Sequence, residues 1–490
     1  MRARRFGSEH AVLLAIIAVG ALVRFATLDQ GIWSDENLAV QVLTLPFSEM
    51  LPRIEVAETN PPLYFLIVAP WERVFGDGEF ALRSLSALCG IAMIPVVYAA
   101  ASVLSSRRAG LIAAGLTSAS PFLIWYSQEV RPYGLFALLS ALSFLGFAMV
   151  LRERGARWLW VWAIASALSI ATHYLGVLLF GVEVAVLLWA ARESRAEVGL
   201  ASATVVVTGL ALLPLAMAQR GLTQWIPDID FGERLAQIPQ HFLVGMSQPW
   251  GFIGPLAVAV VAAVIVFGFA RSDDRSLRAA SLGGGVFAAG IAVLLIGAAA
   301  DNDVINTRNL IGLWAPFAVM ISALLAAPAM GRLGLGLAAA LCALGIGLAI
   351  WTANTAETAR PDWDEVAGTI GGSDEGRVIL TRSGLTSPLA LYVEGGGRNA
   401  APGEVVTTAE IDVISLRPVD DYSVGPCWWI GACGGRKVLG ESALPFEVPP
   451  QFERVDEFET SLFQIERYRA PGPVKLPRVG FGGVLIQAAS

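Results

Sequence analysis

The sequence predicts a polytopic α-helical membrane protein of about eleven transmembrane helices, followed by a small C-terminal α/β domain. Three observations support this class. The 490 residues are 55% hydrophobic and 15% charged, with a mean hydropathy of +0.61, whereas a soluble globular chain is about 25% charged. Apolar runs long enough to span a bilayer recur down to about residue 352 and then stop. Short arginine-bearing connections between the runs alternate with longer acidic ones.

The runs fall at roughly 11–28, 80–104, 109–126, 133–150, 158–173, 175–191, 198–217, 251–270, 279–300, 309–328 and 333–352. In hydrocarbon a backbone must satisfy its own polar groups, so helices are expected throughout. The basic start, Arg2, Arg4 and Arg5, precedes a long apolar run without a small-residue cleavage site, which reads as an anchor rather than a cleaved signal. Every second connection is short and basic: Arg107 and Arg108; Arg152, Arg154 and Arg157; Arg192 and Arg195; Arg271, Arg275 and Arg278; Arg332. The positive-inside rule makes that side cytoplasmic, together with the N-terminus. An odd number of spans puts residues 353–490 on the extracytoplasmic side. Two domains are therefore expected: 1–352 in the membrane and 353–490 outside it.

The first outer loop, 29–79, is too long for a plain connector. Within it, NPPLYFLIVAPWERVFG reads as an interfacial amphipathic helix, capped by Asn60, opened by Pro61 and bent at Pro70. SEMLPRIEVAE predicts a shorter helix before it. In the tail, PDWDEVAGTIGG and SPLALYVEGG predict helices; RVILTR, DVISLRP and SLFQIERYR predict strands. No internal repeat and no phosphate loop in strand–turn–helix context is found; GGGVFAAG, near 283–290, reads as helix packing.

The net charge of −7, without a basic stripe, speaks against nucleic acid as a partner. Cys89 and Cys342 lie in apolar runs and read as small hydrophobes. Cys427 and Cys433, in PCWWIGACGG, are either a disulfide or two free thiols; their spacing does not match a zinc site.

Four polar clusters stand near the outer ends of the spans. Asp35 and Glu36, in WSDENLAV, follow the first run, which also carries Arg24. On spacing alone they are helix-capping acids. YSQEVRPYG brings Gln128, Glu129, Arg131 and Tyr133 into one short turn. ATHYLG places His173 at a helix end, where a lone histidine is more often a satisfied surface group than a ligand. DNDVINTRNLIG supplies Asp301, Asp303, Asn306, Arg308 and Asn309. Together these gather acids, an imidazole and arginines at one depth, while mid-span positions are nearly free of charge; Glu183 is the visible exception. Arginine neutralises phosphate bidentately, and a carboxylate accepts a proton from an attacking hydroxyl. Transfer of a sugar from a lipid phosphate needs that pair. A transporter or flippase of a lipid-linked saccharide is the alternative, although it would spread polar groups through the membrane depth. A non-catalytic assembly protein is a third reading. Trp225 and Trp250 either stack on sugars or anchor the interface.

At IWSDE, NPPLYFLIVAPWERVFGDGEFALRSLSALCG, YSQEVRPYGLFALL and THYLG, over about residues 11–180, the chain resembles the GT-C superfamily of glycosyltransferases. The resemblance is to bacterial relatives of the dolichyl-phosphate-mannose protein mannosyltransferases and of the lipid A aminoarabinose transferase. It implies a GT-C-type fold in the bacterial cytoplasmic (inner) membrane. It also implies an inverting enzyme taking a sugar from a polyprenyl-phosphate donor, with a glycan, lipid or protein as acceptor and membrane lipids around it. Asp35 maps onto the family's base, with Glu36 as its neighbour. Arg24, Asn60, Tyr64, Glu129, Arg131, Tyr133, His173 and Arg308 are the implied donor-phosphate and substrate contacts. The chain departs from the family at Asn60, where bacterial members usually carry His or Lys before the two prolines. No cofactor is implied, and a divalent metal is not expected.

Overall fold

Helices account for nearly all of the chain up to residue 354. The computed structural model describes residues 2–490 apart from 154, 191, 356–358, 375, 382–383, 401–403, 417–447, 477–483 and 488–490. Cys427 and Cys433 lie outside the described residues. The helices in chain order are α1 (Arg2–Phe25), α2 (Ser34–Leu43), α3 (Phe47–Ala57), α4 (Leu63–Phe75), α5 (Glu79–Leu104), α6 (Arg107–Ala119), α7 (Pro121–Tyr126), α8 (Tyr133–Glu153), α9 (Ala156–Thr172), α10 (Gly176–Ala190), α11 (Arg195–Ala218), α12 (Phe231–Val244), α13 (Ile253–Arg271), α14 (Asp274–Ala299), α15 (Trp314–Ala326), α16 (Gly331–Asn354) and α17 (Trp363–Ile370).

Each apolar run lies on helix. Among the described residues, seven helices are long and apolar enough to cross a membrane: α5, α8, α11, α13, α14, α15 with the 3₁₀ turn Thr307–Leu313 before it, and α16. The chain is thus a polytopic helical membrane protein with a C-terminal sheet. The third run is interrupted. Pro121 removes a backbone donor, and Ser120 restarts the helix as its N-cap, accepting from Leu123 N–H at 3.3 Å. The helix expected from Asn60 begins instead at Leu63 after Pro62. Pro62 keeps Pro61 before it out of helical geometry, so the first turn opens two residues later than a cap at Asn60 would place it.

The chain divides into two compact units: Met1–Leu28 with Ala39–Trp351, and Asp29–Leu38 with Thr352–Ser490. In the helical unit α15 is buried along its whole length and α8 along most of it. Helix α14 meets α15 at Gly283, where a Cβ would lie 2.5 Å from Pro316 O and 3.0 Å from Met320 N. Close helix contact through a small residue is the role expected of the GGGVFAAG run.

The second unit holds a six-stranded sheet of order β2-β6-β1-β3-β5-β4. Its strands are β1 (Arg377–Thr381), β2 (Gly397–Asn399), β3 (Thr407–Leu416), β4 (Glu453–Glu459), β5 (Phe463–Lys475) and β6 (Val484–Gln487). β1 and β3 pair in parallel, and the other neighbours are antiparallel. Alternate residues serve two cores. Ile379, Ile414 and Ile465 pack with Trp33, Trp363 and Phe463, while Val378, Leu380, Ile411 and Val413 pack on the other side. The three strands expected from the sequence are present, as is the helix at 363–370. SPLALYVEGG differs: its first residues lie in a 3₁₀ stretch, Gly384–Leu391, that contains Pro388.

Candidate functional site

The helical unit contains a cavity of about 470 Å³. Five segments build it: the chain ahead of α4 (Thr59, Asn60), the start of α8 (Tyr133), the α9–α10 junction (His173, Tyr174, Leu175), the end of α11 with the turns beyond it (Leu213 to Ile226), and the chain ahead of α15 (Asn302, Val304, Arg308, Asn309). Leu175, Leu213, Ala216, Met217, Ile226 and Val304 give it apolar lining, and the other groups are polar, aromatic or cationic. The Arg308 guanidinium lies over the Trp225 ring at 5.3 Å and the Tyr133 ring at 5.9 Å. Arg220 adds a second positive charge.

Neighbours fix the polar groups. His173 stacks on Phe136 at 4.6 Å, accepts from Leu175 N–H through Nδ1 at 3.3 Å, and shares a side-chain hydrogen bond with Asn309. Tyr174 donates to Gln219 Oε1 at 2.6 Å, and Gln219 Nε2 donates to Ile54 O at 2.9 Å. That pair of bonds sets which face of the Gln219 amide meets the cavity.

The chain that delivers Arg308 is held at both ends. Helix α14 stops in a Schellman turn: Asp301 adopts φ 59°, Asn302 N–H donates to Gly297 O at 2.9 Å, and Asp301 N–H donates to Ala298 O at 3.2 Å. Aspartate tolerates this left-handed geometry better than most residues. Asp303 then receives both terminal nitrogens of Arg234 at 2.8 Å each, and Arg234 also donates to Ile305 O at 3.0 Å. The hydrogen bonds from Arg234 hold the Asp303 carboxyl below its ordinary pKa, against a smaller opposing effect of burial. Asn306 caps the next turn by accepting from Arg308 N–H at 3.2 Å.

Of the residues expected at the site, Asn60, Tyr133, His173 and Arg308 line this cavity. Tyr64, Glu129, Arg131 and Arg24 are not among its lining residues. Tyr64 shares a hydrogen bond with Ser86 Oγ at 3.2 Å. Glu129 accepts from Trp125 Nε1 at 2.6 Å. Arg131 forms a buried ion pair with Glu58 at 2.8 Å. Arg24 is wholly buried and donates to the carbonyls of Gly20, Thr117 and Ser118, which ties α1 to α6. The sequence reading missed Glu58, Thr59, Gln219, Arg220 and Asn302. Glu58 and Thr59 flank the Asn60 motif, and Gln219 and Arg220 directly follow an apolar run; both positions were available as signals.

Asp35 and Glu36 belong to the second unit and occupy the first turn of α2. Asp35 is half-buried. Glu36 is fully buried and accepts from Trp33 N–H at 3.3 Å, the return bond of a capping box. Its Oε2 also lies 3.9 Å from Arg360 Nε. The preceding residues are fastened to the C-terminal part of the same unit. Ile32 O accepts from Trp363 Nε1 at 2.5 Å, and Ile32 N–H donates to the Tyr392 hydroxyl at 3.0 Å. Among the described residues, no group of three or more His, Cys, Asp or Glu side chains comes together as a metal site.

Residues 59–217 match the dolichyl-phosphate-mannose-protein mannosyltransferase family. This match covers about a third of the chain and bears out the resemblance read from the sequence to GT-C glycosyltransferases. A comparison with curated proteins finds no match. Among solved structures, ArnT from Cupriavidus metallidurans bound to undecaprenyl phosphate is 14% identical, with 73% of this chain and 68% of that chain covered and a TM-score of 0.46. The apo state of the same protein is 13% identical, with 79% and 85% covered and a TM-score of 0.38. The Archaeoglobus fulgidus oligosaccharyltransferase in complex with Zn and sulfate is 16% identical, with 73% of this chain covered and a TM-score of 0.43. This chain spans 55% of that protein's length.

Proposed function

We propose that this chain is a membrane glycosyltransferase that moves a sugar from a polyprenyl-phosphate donor to an acceptor hydroxyl. The observation that carries the reading is the cavity. Arg308, Arg220 and the His173 imidazole line it together with Leu213, Ala216 and Met217. A lipid phosphate joins an anionic head to a hydrocarbon tail. The family match over 59–217 supplies the reaction class.

In the proposed reaction the acceptor oxygen bonds to the anomeric carbon from the side opposite the phosphate. The bond from that carbon to the phosphate oxygen breaks, and its electron pair leaves with the lipid phosphate. The acceptor proton passes to Asp35, assigned as base, with Glu36 holding the turn on which Asp35 sits. Backside attack inverts the anomeric centre. The phosphate gains a negative charge as it departs, so guanidinium groups stabilise it more at the end of the step than at the start. A phosphate with a second pKa near 6 leaves without a general acid.

The reading places the reaction on the extracytoplasmic side of a bacterial inner membrane, with the N-terminus cytoplasmic. Residues 1–352 form its transmembrane catalytic domain and 353–490 an extracytoplasmic one. The alternation of arginine-bearing connections supports that orientation. The test is transfer of radiolabelled sugar from a prenyl phosphate into membrane glycans and lipids by the reconstituted protein. Asp35→Asn is expected to lower transfer by at least roughly 100-fold with an unchanged Tm. An unaltered rate would remove Asp35 as base.

A further inference from the structure

We infer that Tyr174 recognises a hydroxyl of the transferred sugar, and that it does so only as a hydrogen-bond acceptor. The inference rests on the proposed reading of the cavity as the donor site. Tyr174 and Gln219 both line that cavity. Gln219 Nε2 donates to Ile54 O at 2.9 Å and to Asn60 O at 3.4 Å. Both partners are backbone carbonyls, which only accept, so the amide nitrogen must face them and Oε1 must face away. There Oε1 meets the Tyr174 hydroxyl at 2.6 Å. An amide oxygen has no proton to offer, so the proton in this bond is the phenol's. A tyrosine hydroxyl carries one proton, and here it is committed to Gln219.

What Tyr174 presents to a ligand is therefore the lone pairs of its oxygen. Among the described residues no second hydrogen bond reaches that hydroxyl. Gln219 is almost fully buried, and Tyr174 is half-buried at the junction of α9 and α10. The carbonyls at the end of α3 and ahead of α4 thus decide, through one amide, what a side chain on a distant part of the sequence can recognise. An acceptor is satisfied by a group that donates. On a sugar ring that group is a free hydroxyl, and an ether oxygen, a fluorine or a carboxylate cannot replace it. Losing the donor opposite such an acceptor removes one hydrogen bond, roughly threefold to tenfold in affinity.

The experiment is competition binding in nanodiscs. Farnesyl phosphate and the farnesyl phosphates of glucose, mannose and galactose displace a fluorescent prenyl phosphate from the full chain. The sugar phosphate that binds most tightly is then compared with its monodeoxy and monodeoxyfluoro analogues at each hydroxyl position. At one position both replacements are expected to weaken binding alike, roughly threefold to tenfold, because fluorine accepts but does not donate. Tyr174→Phe is expected to weaken the unsubstituted compound by the same factor and to abolish the loss at that position. Losses that all persist in Tyr174→Phe, or equal binding of every analogue, would overturn the inference and leave the donor-site reading standing. Binding restored by fluorine wherever hydrogen weakens it would do the same, and that comparison needs only the unmutated protein, so it decides even if Tyr174→Phe fails to fold. Failure of bare farnesyl phosphate to displace the probe would overturn the donor-site reading, and the inference with it.

Discussion

Glu58 and Arg131 show how a buried charge constrains this protein. Both side chains are almost fully inaccessible and lie 2.8 Å apart. Removing one partner of such a pair leaves the other charged and desolvated, at a cost of about 3–5 kcal/mol. Glu58→Ala is therefore expected to lower the Tm of the detergent-purified protein markedly, whereas Glu49→Ala on α3, an exposed position, is expected to change it little. A second ion pair can be read through pH. The folded-state pKa of Asp303 is depressed by Arg234. Its stabilising contribution is complete above the unfolded carboxylate value of about 3.9 and is lost as pH falls through the lower folded value. Melting temperatures measured on acidification are expected to fall less steeply in Asp303→Asn, which lacks the titrating group and starts from lower stability. Identical slopes would mean that the pair does not hold the Arg308 segment in solution.

At the scale of elements, the segment before Asp35 is built by the C-terminal unit rather than by α1 and α2 alone. Trp33 is buried with Trp363, Val366 and Phe463, and Ile32 is bonded on both backbone groups. A Cβ at Gly31 would lie 2.1 Å from Pro361 O and 3.0 Å from Trp363 Cδ1. Gly31→Ala must therefore displace the chain that leads into α2. It is expected to reduce transfer roughly tenfold or more by misplacing Asp35, the proposed base. Gly78→Ala, where an added Cβ meets nothing within 4 Å, is the control expected to keep full activity. Equal activity in the two variants would show that the C-terminal unit does not position Asp35. None of this was legible in the sequence. WSDE reads locally as a helix start, and a contact more than 300 residues distant leaves no periodic trace. Strand β1 was legible as an apolar, β-branched run, and β3 and β5 because apolar residues alternate with polar ones, as in Ile411, Val413 and Phe463, Ile465. The edge strand β4, ERVDEFE, was missed because charge on an exposed edge erases the alternation by which a strand is recognised.

Across the whole molecule, hydropathy specified the architecture most directly, since a chain in hydrocarbon has few other ways to satisfy its backbone. The site was legible only in part. Tyr133, His173 and Arg308 stood out as polar residues at span ends, and they do meet at one cavity. Arg24 stood out equally and instead binds three carbonyls within the helical packing. Sequence position alone does not separate a cation that lines a cavity from one buried against backbone carbonyls. If the cavity receives the lipid phosphate, imaging the reconstituted protein by electron microscopy with a saturating prenyl phosphate will show it there. The phosphate is expected within hydrogen-bonding distance of the Arg308 guanidinium, with the prenyl chain along Leu213 and Met217. A phosphate bound elsewhere on the protein, with this cavity holding only solvent, would rule out the cavity as the donor site.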